Sequence, residues 1–90
     1  MEAIEFVNLC HQRRVSMRSD EFLECSGTYF KYMFGPFVAT YHYDRLGGLA
    51  TIQFADGREL IGRGHKRTDN YEWESEPPTP IQIMMIRLYA

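Results

Sequence analysis

The chain predicts an α+β fold: an N-terminal helix, a four- or five-stranded antiparallel meander, and a short C-terminal helix. Three observations carry this expectation. From Thr28 to Arg67, aromatic and β-branched residues alternate with polar ones, and turn signals at Gly35-Pro36 and Asp56-Gly57 interrupt the alternation. Ahead of that stretch the apolar residues follow a helical period. Behind it, a helix-start signature precedes an apolar run. Ninety residues, 44% hydrophobic and 24% charged, make a single domain, 1–90, with a small core and no sign of disorder.

The first helix is expected over Glu2 to Arg14. Ala3, Phe6, Val7 and Cys10 fall at i, i+3, i+4 and i+7, and Ile4 and Leu9 widen the stripe. Glu2 and Glu5 suit the positive end of the helix dipole, Arg13 and Arg14 the negative end. Val15 to Gly27 reads either as a short strand or as a single helical turn carrying Phe22, Leu23 and Cys25.

Four strands are expected near 28–34, 37–43, 49–55 and 58–64. Gly35 suits the opening of a type II′ turn, Asp44 to Gly48 reads as a looser loop, and Asp56-Gly57 reads as a two-residue type I′ hairpin. That register sets Phe30, Tyr32, Phe34, Phe37, Ala39, Tyr41, Tyr43, Leu49, Thr51, Gln53 and Leu60 on one face. Val38, Thr40, His42, Ala50, Ile52, Phe54 and Ile61 take the other. Both faces are then partly apolar, and more aromatic surface results than two short helices cover. Asp69 to Glu76, with Tyr71 and Trp73 alternating against Glu72, Glu74 and Glu76, is a candidate fifth strand at an edge. Thr79, Pro80 and Gln82 form an N-cap, an N1 proline and a capping box, so Ile81 to Tyr89 reads as a helix, with a buried strand as its rival.

The net charge of −2 is unevenly spread: residues 31–67 hold six bases and three acids, and both flanks are acidic. Two cysteines, an acidic N-terminus without a basic leader, and no apolar run of roughly 20 residues point to a cytoplasmic protein with free thiols. Met1 reads as the start of a complete small gene product, a profile suited to phage or mobile-element accessory proteins.

No motif places catalytic chemistry. Cys10, His11, Cys25, His42 and His65 lack the close spacing with which a loop grips zinc, and nothing calls for a cofactor. His42, Asp44 and His65 would support acid–base chemistry only if they met in one pocket. The expectation is therefore a non-catalytic regulator or inhibitor that binds another protein, or itself as a homodimer, through Phe37, Tyr41, Tyr43, Met84 and Met85. The alternative is single-stranded nucleic-acid binding through Tyr41, Tyr43, Arg45, Arg63, Lys66 and Arg67, with sheet aromatics stacking bases beside the Arg63–Arg67 basic run.

Overall fold

The computed structural model describes residues Met1–Ala90. Helix α1 (Ala3–Ser16) and a 3₁₀ turn (Ser19–Glu21) precede six strands: β1 (Glu24–Ser26), β2 (Tyr29–Phe34), β3 (Phe37–Asp44), β4 (Gly47–Gln53), β5 (Glu59–His65) and β6 (Asn70–Trp73). Helix α2 (Pro80–Tyr89) closes the chain. The strands form one antiparallel sheet in sequence order, a meander. The α+β class and the helix–meander–helix order are as expected, with six strands in place of four or five. The added one is β1, drawn from the ambiguous segment. It forms because Leu23 N donates to Lys31 O and the half-buried Phe22 packs on Phe30, ring centroids 5.3 Å apart.

Both turns flanking β4 differ from expectation, and the difference matters. Asp44 pairs directly with Gly47, so only Arg45 and Leu46 make the loop that the sequence suggested was longer. At the other end Phe54 N donates to Arg58 O, which leaves a three-residue loop, Ala55-Asp56-Gly57, where a two-residue hairpin was expected. Gly57 takes φ +88°, the left-handed residue that such a loop needs. Each change shifts pairing by one residue. Strand β4 is thereby turned over relative to the expected register, while β3 and β5 keep their places.

The consequence is a one-sided sheet. Ala50, Ile52 and Phe54 join Tyr32, Phe34, Phe37, Ala39, Tyr41 and Leu60 on one face, and all of these are buried. Leu49, Thr51 and Gln53 turn to the other face, beside Thr40, His42, Glu59 and Arg63. The expectation of two apolar faces is therefore overturned. The open face is a mixed polar surface, as antiparallel sheets commonly present to water.

Both helices lie on the apolar face, and the body is only 20 Å in its thinnest dimension, the depth of one sheet and one helix layer. α1 buries Ala3, Phe6, Val7 and Cys10, the predicted stripe. Phe6 sits over Gly62 and against Trp73, ring centroids 5.2 Å apart. Further along, the Arg13 and Arg14 guanidinium groups cover the Phe34 and Phe30 rings at 4.7 and 4.3 Å. α2 has the expected capping box between Thr79 and Gln82. It docks beside α1 through Ile86 in the shared core, Tyr89 edge-on to Phe37, and Arg87 to Glu5 at 3.2 Å. Tyr71 and Trp73 are half-buried against the core, while Glu72 and Glu74 point away to pair with His65 and Arg63.

The buried Tyr32 hydroxyl donates to the Cys10 carbonyl at 2.9 Å, tying α1 to the sheet. Burial pushes the Cys10 thiol up from 9.0 to about 12, and burial raises the Tyr32 phenol as well. Both groups stay neutral in the fold but ionise when unfolded. Their contribution is complete below pH 9.0 and is lost as pH rises from there toward about 12. A melting-temperature series should therefore be flat from neutral pH to about pH 8.5 and fall above it, and Cys10→Ala should shallow the fall. The turned strand has its own test by urea unfolding. Ile52→Ser should cost about 3 kcal/mol or more, whereas Gln53→Ser should stay within about 0.5 kcal/mol.

Candidate functional site

Two surface features stand out, at opposite ends of the apolar layer. The first is a stripe on α2. This helix buries only Ile86, while Ile81, Met84 and Leu88, spaced i, i+3 and i+7, are 61%, 65% and 73% exposed. An apolar groove of about 440 Å³ runs alongside, between α2 and the β4–β5 turn. Phe37, Phe54, Ile81 and Met85 line it, and Asp56 and Arg58 stand at its rim. The stripe exists because the sequence makes α2 apolar nearly all round, and a helix at the border of a two-layer body has one side against the core.

The second is a hollow of about 360 Å³ beneath the β3–β4 and β5–β6 turns. These two turns are held together by Lys66 N donating to Leu46 O at 2.8 Å. α1 contributes Asn8 and His11, β3 contributes Tyr41, Tyr43 and Asp44, and β6 contributes Tyr71. Gly47, Gly48, Gly64 and His65 also line it, with the Tyr41 and Tyr71 rings lying directly over the Gly48 and Gly64 backbone, and Lys66 and Asp69 stand at the β5–β6 turn. Asp44 Oδ1 accepts the amides of Leu46 at 2.7 Å and Gly47 at 3.1 Å, which holds the tight turn.

The sequence-derived contact residues divide between these features. Phe37 is buried and forms part of the groove wall; Met85 is half-buried beside it; Met84 is exposed on the stripe. Tyr41 is buried at the far end of the sheet and Tyr43 is half-buried, stacked on Phe30 with Arg14 over its ring at 4.9 Å. These five residues therefore do not form one continuous contact surface. Ile81 and Leu88 flank Met84 on the stripe and lie outside the sequence-derived contact set. Nothing in a helix apolar on all sides marks which stripe faces water.

The nucleic-acid set divides too. Tyr41, Tyr43 and Lys66 line the hollow, and Arg45 and Arg67 are exposed in the flanking turns. Arg63 lies on the opposite, open face in an ion pair with Glu74. Of the acid–base trio, His42 is exposed on the open face, while Asp44, tied to its own turn, and His65, whose Nε2 is 3.0 Å from Glu72, both line the hollow. Cys10 is buried and Cys25 exposed, both unpaired, and no three His, Cys, Asp or Glu side chains gather as a metal site. His11, Asn8, Asp69 and the three glycines of the hollow were outside the sequence-derived sets. They converge only once β4 has its true register and α1 its crossing.

No helix is long and apolar enough to cross a membrane. No protein-family model, curated protein or solved structure matches this chain.

The Asp44 carboxyl is held below its ordinary 3.8 chiefly by the Leu46 amide; desolvation opposes this in part, and the Gly47 amide, His42 and Arg63 add smaller lowering effects. Its contribution to the turn is present above 3.8 and lost as pH falls through the depressed value. An NMR titration should show the Leu46 and Gly47 amide signals moving together with this carboxyl, below the ordinary range. Asp44→Ala should abolish that joint titration.

Proposed function

We propose that this chain is a small non-catalytic regulatory or inhibitor protein of the cytoplasm, acting by binding another protein through α2. The observation that carries this reading is the outward stripe of Ile81, Met84 and Leu88. Three large apolar side chains on one helical face are costly to leave in water. Each is worth about 1.5–3 kcal/mol when fully covered. Such helical spacing is the pattern by which one protein presents a helix to another.

The size of the surface bears on the partner. Ten residues of helix span only about 15 Å. A standard interface takes about 800 Å² from each side. The stripe alone falls short of that, so the partner also enters the groove beside it, against Phe37, Phe54 and Met85. A larger partner than a second α2 meets this need best, and a self-association restricted to the two stripes would be weak.

The nucleic-acid alternative has less behind it, because Tyr41 is buried, Tyr43 is half-buried under Arg14, and Arg63 lies on the opposite face in its ion pair with Glu74. The test uses the full chain and the variant Ile81→Ser/Met84→Ser/Leu88→Ser. All three residues are exposed, so thermal melting should be nearly unchanged. Affinity capture from the source cells should retain a protein on the wild type that the variant binds at least about thirtyfold more weakly, a loss of roughly 2 kcal/mol. Equal retention by both would overturn the proposal. Sedimentation at rising concentration identifies the case in which the partner is a second copy.

A further inference from the structure

Helix α2 holds to the body by few attachments. Of the 13 residues in the buried core it supplies one, Ile86; the rest come from α1, the sheet and the β4–β5 turn. Tyr89 adds an edge-on contact with Phe37, and its ring rests on Gly35, where a Cβ would lie 2.4 Å away. Two polar tethers come from α1. Arg13 donates to the Tyr89 carbonyl, and Glu5 meets Arg87 at 3.2 Å with both side chains exposed. Burying one isoleucine shifts an equilibrium by a factor of roughly 10–150, and exposed ion pairs add little.

The connection into α2 is slight as well. The last ties to the sheet are Glu74 N donating to Ile61 O and Ile61 N donating to Ser75 Oγ, both at 2.9 Å. Glu76, Pro77 and Pro78 make no hydrogen bond to the sheet, and the two prolines have no amide to donate. The helix closes its own first turn through the Thr79–Gln82 capping box, so it borrows nothing from the sheet there. Helices shorter than about 12–15 residues are marginal in water, so α2, ten residues long, keeps its form only while docked.

The remainder of the fold does not lean on α2. Helix α1 buries Ala3, Phe6, Val7 and Cys10 on the sheet, and the Tyr32 hydroxyl ties it to β2 through the Cys10 carbonyl. The six strands pair with one another and not with α2. We infer that α2 is a detachable arm: it undocks and unwinds as one unit, hinged at Glu76–Pro78, while α1 and the sheet stay folded. Release bares Phe37 and Phe54 and extends the apolar groove into the vacated seat. That enlargement supplies partner surface which the docked stripe lacks, a consequence that rests on the α2 reading; the release itself does not.

The test is native-state hydrogen exchange of the full chain, read amide by amide. The Met84 to Leu88 amides should share one protection factor, at least about a hundredfold below that of the β3 and β4 amides. Glu5→Gln removes a tether without altering α2, and it should lower those helix amides together by one factor of about two to five. Tyr32→Phe removes the tie between α1 and the sheet. It should lower the β3 and β4 protection about tenfold and leave that of α2 unchanged. The inference is overturned if α2 and the sheet are equally protected, or if Tyr32→Phe lowers both alike. It is also overturned if protection declines residue by residue toward Ala90, the pattern of a fraying end. None of these outcomes touches the outward stripe, whose serine variant is read by capture, so the two readings fail separately.

Discussion

The parity of β4 governs this molecule. A two-residue loop at Arg45-Leu46 and a three-residue loop at Ala55-Asp56-Gly57 together turn Ala50, Ile52 and Phe54 toward the helices. With that parity, β2 to β5 present one continuous apolar face, and α1 lays Phe6, Val7 and Cys10 along it. A slip of one residue would send Ile52 and Phe54 to water and bring Thr51 and Gln53 beneath the helix. The core, the sealing of Tyr32 against Cys10 and the glycine floor at Gly48 all follow from this one alignment.

Much of this architecture was legible before any coordinates. The α1 stripe, the Gly35-Pro36 turn, the Thr79–Gln82 capping box and the inward Tyr71 and Trp73 were each marked by local chemistry that needs no long-range information. The β4 register was not, because Asp-Gly serves equally in a two-residue turn and as the last two positions of a three-residue one. The distinction rests on whether Phe54 pairs with Glu59 or with Arg58, and the core decides it by gathering Ile52 and Phe54 under the helices. Reading the wrong turn made the sheet seem apolar on both faces, which inflated the surface left for a partner. Phe37 and Tyr41 are largely consumed in the core, and the uncovered apolar area is smaller and lies on α2.

The two candidate sites arise from different failures of coverage. At α2 the sequence supplies more apolar side chains than one helix can turn inward, so Ile81, Met84 and Leu88 remain outside. At the other end the Tyr41 and Tyr71 rings lie directly over the Gly48 and Gly64 backbone, and a hollow remains between these rings, α1 and the two turns. The first favours a macromolecular surface. Neither shares residues with the other, so each stands or falls alone.

The most direct measurement of the central claim is the pattern of cross-strand and helix–sheet nuclear Overhauser contacts around Ile52. The register seen here predicts Ile52 opposite Leu60 and Gln53 opposite Glu59, with the Ile52 methyl groups among the core residues shared by both helices. Pairing of Ile52 with Ile61 and of Phe54 with Glu59, with the Ile52 methyls remote from either helix, would contradict it.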